Sequence, residues 1–206
     1  MRSFFPQFQT VRRIGLCLGL ALAAGMASAA AESPGRPWDD PAPQLWFPVG
    51  EEIDYEVYWG IFMVGEATAS AEWLQKDGRR LLALTMKAQS NGIVAKLYPV
   101  KETLQTSLAP GTFLPLSFEK ESHEGRHDYH ELTTFDHAAK QGHWRSLISD
   151  KHKDFDIAAD TRDLMTLMYW IRKDPIQAGE TRAYQVMADE KMYELIVEAG
   201  KKDKVA

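Results

Sequence analysis

The sequence predicts a mainly β protein of the β-rich α+β class. The expected form is a strongly curved antiparallel sheet, or open half-barrel, with one helix packed on its inner face. Three observations carry this. From Glu51 onward most segments alternate polar and apolar residues with the two-residue period of half-buried strands. Turn signals punctuate them, at Asp77-Gly78, Asn91-Gly92, Ala109-Pro110-Gly111 and Glu124-Gly125. One stretch, residues 160–173, switches to helical spacing through Leu164, Leu167, Met168 and Ile171.

Residues 1–31 read as a secretory signal. MRSFFPQFQTVRR is basic and free of acid, an apolar core follows at residues 14–24, and the small residues of ASAAAE offer cleavage after Ala29 or Ala31. That core falls short of the ~20 residues of a bilayer span, so a membrane is expected to be met only by this segment, and only if it stays uncleaved. Leu16 stands where lipid attachment at Cys17 needs a small residue. Arg12-Arg13 resembles a twin-arginine signal, and the general and twin-arginine routes both stay open. The expected location is the periplasm of a Gram-negative-type envelope, with the protein soluble after cleavage. Cys17 is the single cysteine, so the domain beyond it has no disulfide, thiol nucleophile or thiolate metal ligand. Arg2, Arg12 and Arg13 are the signal's charges; without them the net charge moves from −5 to about −8, which argues against nucleic acid as a partner.

Residues 32–47 form a proline-rich linker, with Trp38 and Trp46 placed to pin it to the body. Residues 48–206 form a single β-rich domain. In its first strand Ile53, Tyr55, Val57 and Trp59 share one face, and Asp54, Glu56 and Tyr58 the other. Gly60 and Gly65 bracket Ile-Phe-Met-Val, which predicts a turn or bulge. The next strand places Ala67, Ala69, Ala71 and Trp73 on one face. Three alanines leave room that a core must fill, and Leu164, Met168, Trp170 and Ile171 of the helix are the natural filling; a groove left open for a ligand is the alternative. QKDG turns the chain into RRLLALTMKAQS, and IVAKLYP forms a short helical turn before VKETLQTSL. FLPLSFEKES and RHDYHELTTFD pair around Glu124-Gly125, and two shorter strands follow at residues 141–148 and 153–157. The helix is expected to be capped by Asp160 or Thr161, with Asp163 in its acidic first turn and Arg172 and Lys173 at its basic end. A last hairpin turns near Asp189.

The segment GEEIDYEVYWGIFMVGEATASAEW resembles the opening of the DUF3108 family of exported bacterial proteins of unknown function. The resemblance continues through LYPVKETLQTSL, FLPLSFEK, TTFD and DLMTLMYWIRKDPIQAGE. It implies a periplasmic, sheet-rich domain, like the open half-barrels of lipoprotein carriers, and transfers no site residues. Members usually continue with further strands, so a chain ending at GKKDKVA is expected to be truncated.

No reaction is legible. No GxSxG, HExxH, glycine-rich phosphate loop or CxxC is read in the chain, and no motif calls for a cofactor. All six histidines fall between His123 and His152; His123 and His127 flank a turn and are the candidate metal ligands. Tyr58, Trp59, Phe62 and Met63, beside the bracketing glycines, are the candidate ligand-binding residues, lining a hydrophobic mouth. The expectation is a non-catalytic binding or envelope-associated protein, its partner a hydrophobic small molecule or a cell-envelope protein. The alternatives are a carrier of a hydrophobic ligand such as lipid in the concave sheet, and a hydrolase without a recognisable motif.

Overall fold

The alternation that begins near Glu51 becomes an antiparallel meander of eight strands, each bonded to the next and not closed into a barrel. The computed structural model describes residues 7–10, 42–188 and 190–200. A strand at Gln7–Thr10 (β1) pairs with the meander's first strand, Glu52–Trp59 (β2). The others are Phe62–Lys76 (β3), Arg79–Ser90 (β4), Val100–Ala109 (β5), Leu114–Glu124 (β6), His127–Asp136 (β7), Gln141–Ser146 (β8) and His152–Asp156 (β9). The Asp-Gly turn is as expected: Asp77 and Gly78 both have positive φ, which matches the twist of the strands they join. The rest of the expected signal and Trp38 lie outside the described residues.

Cross-strand register defines an inner face. Ala67, Ala69 and Ala71 pair with Ala88, Met86 and Leu84, and Leu104, Thr106 and Leu108 continue the row on β5. The second helix, Leu164–Trp170 (α2), lies on this face with Met165 and Tyr169 buried. The bare alanine face is therefore filled from above. Part of the filling comes from the supposed linker. Trp46 and Phe47 pack into the core, Phe47 with its ring 4.8 Å from that of Tyr169, and the Trp46 indole donates to the Tyr169 carbonyl at 2.8 Å. Phe113 completes the cluster, 4.5 Å from Trp46, with a left-handed φ of 56° that a bulky residue adopts only when its surroundings hold it there.

Three expectations are corrected. The helix is shorter than residues 160–173, because residues 171–173 form turns. Its cap is Asp163, not Asp160 or Thr161: the Asp163 carboxylate accepts from the Thr166 N–H at 2.9 Å. The helical turn expected at IVAKLYP is present as a short helix, Gly92–Leu97 (α1). The final hairpin, Thr181–Ala188 (β11) and Lys191–Glu198 (β12), does not extend the main sheet. It joins Arg162–Asp163 (β10) in a separate three-stranded sheet, with β10 parallel to β11. Phe135, Ile157 and Met187 pack this second sheet against the far strands of the first.

Asp163 is fully buried and also accepts the hydroxyls of Thr106, at 2.9 Å, and Thr166, at 2.7 Å. Burial pushes its carboxyl above the ordinary 3.8, against hydrogen bonds from Thr166, Thr106 and Met165 that hold it down. The folded state thus binds this proton more tightly than the unfolded chain. That contribution to stability is complete below the unfolded value and is lost as pH rises through the raised folded one.

Two outcomes follow. Phe47→Ala should lower stability by about 3–5 kcal/mol in urea denaturation, as for a large aromatic removed from a core; a neutral result would return residues 42–47 to the linker. Asp163→Asn keeps a capping oxygen without the charge, so it should gain on the wild type as pH is raised from 4 towards 7 in the same assay. Asp163→Ala should cost about 2–4 kcal/mol through the lost cap and the two orphaned hydroxyls.

Candidate functional site

The hairpin tip between β2 and β3 brings the four predicted ligand-binding residues together. Trp59 pairs with Phe62 and Tyr58 with Met63, around a two-residue turn of Gly60 and Ile61. The predicted bulge is present, since the register shifts between Val57 and Tyr58 and leaves Val64 without a partner on β2. Gly65 beside it admits no side chain: a Cβ there would stand 2.6 Å from the Gln89 carbonyl oxygen.

The expected mouth is not what these residues build. Trp59, Ile61 and Phe62 are 72%, 87% and 71% exposed and project from the tip. Tyr58 is half-buried; its hydroxyl donates to the Glu56 carboxylate at 2.7 Å, a bond that raises the phenol's pKa. Of the four, Met63 alone lines a cleft. Sequence reasoning missed three further members. Ile61 sits on the turn itself, and Leu97 and Tyr98, 82% and 52% exposed, end α1. The Asn91 N–H donates to the Val64 carbonyl at 3.0 Å, which brings the start of α1 beside the tip. Tyr98 lies over Gly125, where a Cβ would come within 2.7 Å of its ring, so the β6–β7 turn joins the same end of the sheet. The available signal was composition: turns are usually built from polar residues, glycine and proline, and these are built from large apolar ones.

The clefts of the main sheet are lined largely by polar side chains. A cleft of about 660 Å³ and a smaller one of about 310 Å³ meet at Lys101 and Thr103, lined mainly by side chains that alternate away from α2. Several lining groups pair with one another, as Thr68 with Asp54 at 2.8 Å and Gln89 with Glu66 at 2.6 Å. The inner face towards the tip carries Lys120 between Glu102 and Glu124, at 3.6 and 3.9 Å, with Ser122 donating to Glu124 at 2.9 Å. That stretch offers charge, not a bed for an acyl chain.

The proposed metal pair is separated. Residues 123–127 read His-Glu-Gly-Arg-His, a zinc-protease spacing that works on a helix, where positions four apart share a face. The reading that finds no HExxH is corrected: the pattern is present, and the structure puts it on a β-hairpin. His123 stands opposite Asp128 and His127 opposite Glu124, so the two imidazoles leave opposite faces. The histidine cluster is instead largely cross-strand pairing: His123 with Asp128 at 2.6 Å, His130 with Glu119 at 2.7 Å and His143 with Asp154 at 2.8 Å. Among the described residues, no group of three or more histidine, cysteine or acidic side chains is arranged to hold a metal ion.

The chain belongs to the family described as protein of unknown function DUF3108, whose model matches residues 54–206. No curated protein and no solved structure matches it.

Titration with zinc should leave the imidazole signals of His123 and His127 unmoved in NMR spectra at stoichiometric metal. A joint shift of both would require the hairpin to open and would restore the metal reading.

Proposed function

We propose that this protein is a non-catalytic, exported domain of the cell envelope that binds its partner through the apolar end of its sheet. One observation carries the reading: the β2–β3 tip exposes Trp59, Ile61 and Phe62 as a nearly continuous apolar run. A fold gains nothing from such a run in water, and exposed stretches of this kind mark interaction surfaces. The core does not need these side chains, since it is built from Phe47, Phe113, Leu108 and α2. The signal expected over residues 1–31 supports export, and the family's sheet-rich body supports a scaffold that presents loops.

The alternative of a hydrophobic ligand held in the concave sheet is less well supported. The inner face is occupied by α2 and by Trp46, Phe47 and Phe113, and its remaining stretch is charged. The most exposed large apolar side chains among the described residues, Ile61, Leu97, Trp59 and Phe62, stand at the tip and beside it.

A Trp59→Ser, Phe62→Ser double variant tests the reading in the exporting cell. Its stability should stay within about 0.5 kcal/mol of the wild type, as for exposed positions, while its recovery with the sedimented envelope fraction should fall sharply. Equal recovery of variant and wild type, or no envelope association by the wild type, would count against it.

A further inference from the structure

We infer that the apolar end docks on the zwitterionic surface of a phospholipid bilayer. The inference rests on the docking reading above and names its partner as lipid. Shape is the first ground. Trp59, Ile61 and Phe62 project from a two-residue turn, and a projecting apolar finger is received by a deformable medium without a matching cavity. The residue types are the second. Trp59, Tyr58 and Tyr98 join an apolar body to a polar edge, the combination that settles at headgroup depth. Ile61, Phe62 and Leu97 are apolar throughout and belong one layer deeper.

Charge is the third ground. Residues 59–62 and 91–99 contain no acid. Lys96 stands next to Leu97, and Arg126 next to the Gly125 that Tyr98 covers; both are exposed and neither has an ion-pair partner within 4.0 Å among the described residues. They are placed to reach lipid phosphates while their stems lie along the apolar surface. The chain as a whole is negative, at −5, which favours zwitterionic over anionic headgroups. Finally, three separate turns reach the same end, so all engage one surface at once, and such contacts multiply. Among the described residues no helix is long and apolar enough to cross a membrane, and the contact inferred here is shallow insertion of the turns.

Flotation of the protein, purified from the exporting cell, with phosphatidylcholine vesicles tests this, alongside tryptophan quenching by brominated phosphatidylcholine. The wild type should float with the vesicles and be quenched. Ile61→Ser with Phe62→Ser should weaken binding at least about tenfold, the scale expected for removing two large side chains from the interface. Lys96→Glu with Arg126→Glu should weaken it without touching an apolar residue, and a minority of phosphatidylglycerol should not strengthen wild-type binding severalfold. Wild-type flotation that both variants retain overturns the proposal. So does absence of flotation together with tip-dependent crosslinks to an envelope protein, a result that leaves the docking reading standing. Absence of flotation and of any tip-dependent envelope association removes both.

Discussion

One buried carboxylate joins the parts of this molecule. Asp163 caps α2, takes a hydroxyl from Thr106 on the middle of the main sheet, and belongs to β10, where it pairs with Met187 of the second sheet. Removing a charge from water is costly, and three short hydrogen bonds offset only part of that cost, which is why the carboxyl is pushed towards its neutral form. The geometric return is that helix, main sheet and second sheet cannot shift independently. A second tie, a forked pair between Arg172 and Glu51, fixes the other end of the helix to the start of β2, with the Phe47 and Tyr169 rings against the guanidinium.

Those ties decide which part of the inner face is core. Over β3 to β5 the alanines are small enough for α2 and the aromatic group of Trp46, Phe47 and Phe113 to approach closely. Over β6 to β9 the second sheet takes over through Met187 and Ile157. What neither covers lies towards the β2–β3 tip, and there the sheet switches to the Glu102, Lys120 and Glu124 network. The molecule is thus sealed at one end and open at the other, and the open end bears its exposed aromatic side chains on turns.

The sheet was legible because its signals are local. Alternation, Asp77-Gly78 and the alanine row each depend on residues within one hairpin, and each came out as read. The resemblance to the family was legible for the same reason, as a string of glycines and aromatics, and the family model matches. What failed depended on distant partners. Phe47 looked like linker because its contacts, Tyr169 and Phe113, lie far along the chain, whereas Trp46 pins the segment to the body as expected. Asp163 looked like a first-turn acid because nothing nearby announces Thr106 as its partner. The last hairpin looked like two more strands of one sheet, since parallel pairing with a two-residue β10 leaves no periodic trace. At the site the residue types were found and the shape was not. Tyr58, Trp59, Phe62 and Met63 do meet, but the side of a turn on which side chains emerge is set by register, and here Trp59 and Phe62 project instead of lining a mouth.

That projection also revises the part given to the membrane. Read as a sequence, the chain has one segment apolar enough to concern a bilayer, and it lies in the signal expected over residues 1–31. Read as a structure, it has a second, assembled from two short stretches: Trp59, Ile61 and Phe62 around one turn, and Leu97 and Tyr98 more than thirty positions later. No hydropathy window spans such a set, because the sheet, not the chain, makes it contiguous. The same distance that hides it from sequence also frees it from the core. Leu108 and Phe113 hold the sealed end whatever stands at position 61. A tip so uncoupled from stability is under no packing constraint to be apolar, and the contact proposed for it would supply the reason that packing does not.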